Sequence, residues 1–204
     1  MEIFVDNLGK RYNREWIFRS LNYEFKSGCR VAITGSNGSG KSTLIKILCN
    51  YLSPSDGTIK FIDGQKPVDK DSVQLSFSLV APYVNILNEF TVSEMFNFHR
   101  KFKPSTFTTS EILEKSSLQS AADKLIEELS SGMLQRLKLS LAFFFESNVI
   151  FLDEPTMNLD LKNVNWYEDQ ISALKEGQSI IIASNQEREY TFCDELINIE
   201  DFKP

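Results

Sequence analysis

The stretch Gly35-Ser36-Asn37-Gly38-Ser39-Gly40-Lys41-Ser42 decides the fold class. It fits the pattern GxxxxGK[ST] in full. Its surroundings agree with it. Arg30-Val31-Ala32-Ile33-Thr34 reads as a short apolar strand entering it, and Lys41 to Cys49 reads as a helix leaving it, with Leu44, Ile45, Ile47 and Leu48 apolar. Glycines let the backbone curl so that successive N–H groups point inward and cradle phosphate oxygens. The helix beginning near Lys41 adds the positive end of its dipole. Gly35, Ser36, Asn37, Gly38, Ser39 and Gly40 are therefore the expected cradle, continued by Thr43 at the helix start. Lys41 is expected to reach the β- and γ-phosphates, and Ser42 to place its hydroxyl on Mg2+.

Further along, Val149-Ile150-Phe151-Leu152 is a buried-strand pattern that ends in Asp153-Glu154, and Pro155 stops it. A strand ending in acids presents them at its C-terminal edge, where ligands bind in open α/β sheets. By themselves two such acids read as solvated loop residues. Beside the loop at 35–42 they read as a magnesium ligand, Asp153, and a group that polarises the attacking water, Glu154. Ser179-Ile180-Ile181-Ile182-Ala183 is another apolar strand, and Gln74 to Ala81 alternates around Leu75, Phe77 and Leu79. Apolar strands separated by helical stretches predict a mostly parallel sheet covered on both faces.

Two regions differ from that core. Short strands with the turn signals Ser27-Gly28, Asp56-Gly57 and Asp63-Gly64 predict an antiparallel layer over about 1–30 and 55–70. A polar, helix-like insertion runs over about 84–135; its phenylalanines Phe90, Phe96, Phe98 and Phe102 read either as core or as an aromatic groove. The expected architecture is α/β, a P-loop NTPase (RecA-like) core plus these two additions, in one domain over 1–204. The chain has 204 residues, 42% hydrophobic and 25% charged, which is globular composition. A net charge of -6 and a pI of about 5.0 give no counterion-release attraction to nucleic acid, so no nucleic-acid partner is expected. Cys29, Cys49 and Cys193 show no metal-type spacing and read as buried free thiols of a reducing compartment. The N-terminal residues carry no signal-peptide pattern and no apolar run approaches a membrane span, which predicts a soluble, cytoplasmic protein.

A third motif narrows the class. Leu129-Ser130-Ser131-Gly132-Met133-Leu134-Gln135-Arg136 closely resembles the LSGGQ-type signature of ABC ATPases. Ser130 and Ser131 are good N-caps, Gly132 allows close backbone approach, and Leu134, Leu137, Leu141 and Phe144 give one buried helical face. The resemblance covers essentially the whole chain, and the short form is similar to ATP-binding subunits of two-component exporters. It implies ATP and Mg2+ as cofactors. It also implies a homodimer that sandwiches two nucleotides, with Ser130, Ser131 and Gly132 acting on the γ-phosphate held by the other copy. An integral membrane permease is the implied partner, placing the chain at the inner face of the membrane. The same resemblance puts Tyr12 against adenine, with Trp16 and Phe18 as competitors, and Asp160 of Met157-Asn158-Leu159-Asp160 at the dimer interface.

The sequence departs from the family pattern at two functional positions. Asn185, after Ile180-Ile181-Ile182-Ala183-Ser184, stands where a histidine contacting the γ-phosphate is usual. An amide donates a hydrogen bond there but carries no proton. Tyr83 stands where a glutamine touching magnesium and the attacking water is usual, with Asn85 two residues on as the alternative. Met133 also replaces a usual glutamine. The lone histidine, His99, reads as a surface residue of the insertion. These departures leave two expectations: an ATP-hydrolysing transporter subunit, or a nucleotide switch with weak or no hydrolysis. The stretch from Lys41 to Asp153 is too short for the coiled-coil insertion of the DNA-repair members that share the signature.

Overall fold

Residues 1–174 and 177–203 are described by a computed structural model of the chain. The elements in chain order are β1 (Glu2–Tyr12), β2 (Glu15–Phe25), β3 (Arg30–Thr34), α1 (Lys41–Leu48), β4 (Asp56–Asp63), β5 (Lys66–Val68), α2 (Lys70–Val73), β6 (Phe77–Val80), α3 (Val92–His99), α4 (Thr109–Lys115), α5 (Ser131–Phe143), β7 (Val149–Asp153), α6 (Leu161–Ser172), β8 (Ser179–Ala183) and β9 (Glu195–Asn198). They fall into two compact units. One comprises Met1–Leu79, Asn148–Glu154 and the described residues of Lys175–Pro204; the other comprises Val80–Ser147 and Pro155–Leu174.

The first unit holds two sheets. In the antiparallel one, ordered β2-β1-β4-β5, period-two alternation buries one face: Ile3, Val5, Phe25, Ile59 and Phe61 point into the core while Glu2, Asp6 and Glu24 do not. The register shifts between Val5 and Leu8, and Asn7 at φ 48° absorbs the extra residue, so that Leu8 returns to the buried face. The other sheet is ordered β6-β7-β8-β3-β9, with β8 parallel to both β3 and β7. All five residues of β7 and of β8 are buried, as their unalternating apolar runs require of covered parallel strands. Leu44, Ile45 and Leu48 of α1 join Phe77 and Phe151 in one core with the antiparallel face.

The second unit is helical, and its helices start where side chains cap them. Thr91 with Glu94 and Thr108 with Glu111 form capping boxes for α3 and α4; Ser130 and Asp160 cap α5 and α6. Leu137 and Leu141 of α5 are buried, and Phe143 lies 6.2 Å from the Tyr167 ring of α6. Of Phe90, Phe96, Phe98 and Phe102 only Phe96 is fully buried. Phe90, Phe98 and Phe102 form an edge-to-face row at 5.2 Å spacings, ending at Phe102, which is 59% exposed.

Three sequence expectations change. Gln74–Ser76 is a 3-10 turn, not strand: α2, capped by the Asp69 carboxylate, carries the chain helically onward, and pairing starts only where Ser76 O accepts from Asn148 N. Leu75 is accordingly exposed. The three thiols are free, but only Cys49 is buried, with its pKa pushed up to about 11 by that burial; Cys29 and Cys193 are half-buried. His99 is not a surface residue. It sits half-buried, edge-on to Phe145 at 4.7 Å, and its Nε2 has no hydrogen-bond partner among the described residues.

Burial, aided by the Lys103 ammonium, lowers the His99 pKa to about 4; the Arg100 guanidinium lies on the same Phe145 ring. The unfolded chain takes up this proton near pH 6.5 and the folded chain only near 4. Between these values the unfolded state binds more protons, so stability falls as pH falls. Thermal melts from pH 7 to 4.5 should show a drop in Tm that His99→Phe reduces.

Candidate nucleotide site

Strand β8 lies between β3 and β7, and the register levels their ends: Ala183 pairs with both Ile33 and Asp153. The loop after β3, the acids after β7 and Asn185 after β8 therefore share the C-terminal edge of one sheet. Gly35 takes φ 139° and Gly40 φ 115°, conformations that L side chains rarely adopt. Space also demands glycine at both. A Cβ on Gly40 would come within 2.5 Å of Ile17 Cγ2, and one on Gly35 within 2.8 Å of Ser39 Oγ.

Inside the loop the buried Lys41 ammonium donates to the carbonyls of Gly35 (2.9 Å) and Ser36 (3.0 Å). Ser39 is buried, and its hydroxyl has no hydrogen-bond partner among the described residues. Helix α1 starts directly at Lys41 from Gly40, with no side chain capping it, whereas α3, α4, α5 and α6 are all side-chain capped. The first-turn donors of α1 thus face a loop that supplies no side-chain oxygen to them, which is the arrangement an anion fills. Ser42 and Thr43 lie half-buried on this first turn.

Asp153 is buried at the last position of β7. Glu154 follows with φ 47°, a left-handed conformation held because its N–H donates to Ala183 O at 2.9 Å. A non-glycine residue so placed costs about 1–3 kcal/mol, and such strain concentrates at functional sites. Ser42 and Asp153 supply one hydroxyl and one carboxylate. That donor set suits Mg2+, which takes few protein ligands and completes its shell with phosphate and water. Among the described residues no cluster of three or more His, Cys, Asp or Glu side chains forms a self-contained metal site. Across the mouth, Asn185 Nδ2 donates to Asn37 Oδ1 at 2.9 Å.

Beside the loop lies a cavity of about 480 Å3 lined by Arg14, Glu15, Trp16, Ile17, Gly38, Ser39 and Lys203. Of the three aromatics weighed for base stacking, Phe18 is fully buried and unavailable. Trp16 lines the cavity, with the guanidiniums of Arg11 and Arg19 each 5.4 Å from its ring. Tyr12 is 50% exposed, with the Lys10 ammonium 5.3 Å from its ring centre.

In the helical unit, Ser130 and Ser131 are exposed at the start of α5, where Ser130 Oγ accepts from Met133 N at 3.3 Å. A Cβ on Gly132 would touch only Asn158 O, at 3.5 Å, so glycine leaves that surface low rather than relieving a clash. Asp160 caps α6 by accepting from Asn163 N at 2.9 Å. Tyr83 is half-buried in a turn closed by Val84 N to Ala81 O, and Asn85 is exposed beyond it. Lys138 of α5 pins that turn by donating to Val84 O at 2.6 Å, and burial lowers its pKa. Sequence reading passed over Lys138, since only the fold brings it to the turn. It also passed over Glu200 and Lys203, which the fold brings to the phosphate loop and its cavity.

Residues 18–157 match the family described as ABC transporter. The chain belongs to that family. ABC ATP-binding proteins are ATPases, and the chain matches them nearly end to end. It is 32% identical over 203 residues to the Nod factor export ATP-binding protein I of Burkholderia orbicola, covering 96% of this chain and 66% of that protein. It is 29% identical to a probable ABC transporter ATP-binding/permease protein of Haemophilus influenzae, covering 98% of this chain and 38% of that one. The chain thus spans less than two thirds of these relatives. Among solved structures, a dimeric ATP-binding cassette in a post-hydrolysis state with ADP and Pi superposes with a TM-score of 0.83 at 20% identity, covering 97% of this chain and 95% of the other. That likeness is one of fold: an ABC cassette with a parallel and an antiparallel sheet. Among the described residues no helix is long and apolar enough to cross a membrane.

The backbone of Glu154 gives a test that is independent of activity. Glu154→Gly relieves a positive φ, so chemical unfolding should show it more stable than Glu154→Ala by on the order of 1 kcal/mol. Equal stabilities would mean that the position is unstrained.

Proposed function

We propose that this ABC family member binds and hydrolyses ATP as a transporter subunit, that two copies close around two Mg-ATP, and that closure drives an integral membrane permease. The observation that carries ATP binding is the uncapped start of α1 beneath the glycine loop, with Lys41 poised inside it. Gly35 to Gly40 and Thr43 cradle the phosphates, and Lys41 turns from two backbone carbonyls to the β- and γ-phosphates. Ser42 and Asp153 hold magnesium, which when bound neutralises phosphate charge. Glu154 takes the proton of the attacking water, and Asn185 donates to the γ-phosphate in place of an imidazole. Tyr83 takes the place of the glutamine that the family sets beside the metal and the attacking water. Tyr12 covers the base from the exposed side, with Trp16 in the cavity wall as the competing platform.

The exposed start of α5 supports the pairing of copies. Ser130, Ser131 and Gly132 present a hydroxyl pair and a helix N-terminus to the γ-phosphate of ATP held by the second copy, and the similar cassette is itself a dimer. Permease coupling draws on the Haemophilus relative, whose name joins the two functions, and on the exposed end of the Phe90–Phe98–Phe102 row, which suits a cytoplasmic helix of such a partner. The chain then works at the cytoplasmic face of a membrane through that partner. No nucleic-acid role is proposed.

A second reading, a nucleotide switch with little hydrolysis, is favoured by Asn185: its amide already engages Asn37 and cannot change protonation. One experiment separates the two. Light scattering should show ATP-dependent dimers of Glu154→Gln, and none of Lys41→Ala. Steady-state phosphate release should fall at least about 100-fold in Glu154→Gln, the scale of a lost general base. ATP-driven dimers with no measurable release from the wild type, with or without detergent-solubilised membrane partners, select the switch.

A further inference from the structure

The C-terminal segment reaches back to the phosphate loop. After β9 the chain enters a 3-10 turn over Ile199–Phe202. Ile199 is fully buried, and its Cγ2 would lie 2.9 Å from a Cβ on Gly35. Asn198 pairs with Thr34 of β3, and its side-chain oxygen accepts from Glu200 N at 3.1 Å. Glu200 is thus exposed, yet fixed on both sides along the chain. Its carboxylate accepts from Ser36 Oγ and from Ser36 N at 3.3 Å. Lys203, which lines the cavity beside Gly38 and Ser39, lies 4.0 Å from the same carboxylate. The two bonds from Ser36, with smaller help from Lys203 and Lys41, keep the Glu200 carboxyl below the usual carboxylate range.

These contacts matter because Lys41 has two tasks. Its ammonium ties the loop's entry limb by holding the carbonyls of Gly35 and Ser36. On binding ATP it is needed on the phosphates, and that tie is given up. A glycine-rich limb released in this way regains backbone freedom worth about 1–2 kcal/mol per residue, which nucleotide binding must then oppose. The Glu200–Ser36 contact uses Ser36 N and Oγ, not the carbonyls that Lys41 holds, so it is not given up when the ammonium moves.

We propose that Glu200 is a positioning residue for the nucleotide reaction, acting through Ser36 to hold the entry limb of the phosphate loop against β9 once Lys41 has turned to the phosphates. This rests on the ATP-binding reading above. Glu200 touches no reacting atom. Its effect falls on nucleotide affinity, not on the chemical step. What it requires at position 200 is a pair of hydrogen-bond acceptor sites and not a negative charge.

Calorimetric titration with Mg-ATP, and phosphate release wherever the wild type shows it, test this on Glu200→Ala, Glu200→Gln, Ser36→Ala and the double alanine variant. Glu200→Ala should raise Kd and KM about three- to tenfold with kcat within about twofold, the scale of one lost hydrogen-bonded contact. Glu200→Gln, which keeps the acceptor oxygen, should bind within about twofold of wild type. The double variant should be no worse than the worse single one, because both substitutions remove one contact. An unchanged Kd in Glu200→Ala, additive losses, or a Gln variant as weak as Ala would each overturn the proposal while leaving ATP binding by the wild type intact. A wild type that shows no Lys41-dependent ATP binding would overturn both. An unaltered melting curve for Glu200→Ala separates loop positioning from misfolding.

Discussion

The placement of β8 between β3 and β7 is the constraint on which the rest depends. Its residues pair on both sides, Ala183 with Ile33 and with Asp153. Because all five of its residues are buried, a one-residue slip would send each side chain to the opposite covered face and move Asp153 off the sheet edge. The same register fixes Glu154, whose N–H extends the ladder to Ala183 O at the expense of a positive φ. The sheet thus does more than support the acids. It imposes on Glu154 a conformation that this residue would not choose, and so determines where its carboxylate starts from.

What could be read from the sequence was what is local. The glycine pattern at 35–40, the helix after it and the apolar runs at 30–34, 149–152 and 179–183 state their structures within a few residues, and the α/β fold follows from their order. Alternation misled at Gln74–Leu75 because a capped helical turn precedes the strand and carries the chain past the pattern. His99 misled because a polar residue in a polar stretch gives no sign that Phe145, distant in sequence, will cover its ring. The φ of Glu154, the Asn185–Asn37 bond and the Glu200–Ser36 contact were invisible for the same reason: each joins segments that only the sheet brings together.

The start of α5 shows how one residue serves folding and ligand chemistry together. Ser130 accepts from Met133 N to cap its helix, and that uses only a lone pair. Its O–H remains a donor, and the helix dipole points outward with it. Capping and anion recognition therefore do not compete at this position. They do compete at α1, where a side-chain cap would occupy the donors a phosphate needs, and there the cap position is glycine. Under the proposed pairing of copies, the contrast between these two helix starts separates a surface open to a phosphate held elsewhere from one that encloses its own.

Asn185 changes the division of labour at the sheet edge. An imidazole at that position offers a donor whose strength follows its protonation. An amide offers two fixed donors, one already directed at Asn37. The other can stabilise charge building on a terminal phosphate but cannot remove or return a proton. With the amide neutral throughout, the proposed mechanism sends the proton leaving an attacking water to the carboxylate of Glu154. Asp153 is buried at the last position of the strand, and Lys41 donates to the carbonyls of Gly35 and Ser36. The strained placement of Glu154 and the neutral replacement at Asn185 thus support the same proposal, that the acid-base burden of hydrolysis falls on Glu154 while the loop around it contributes position and charge.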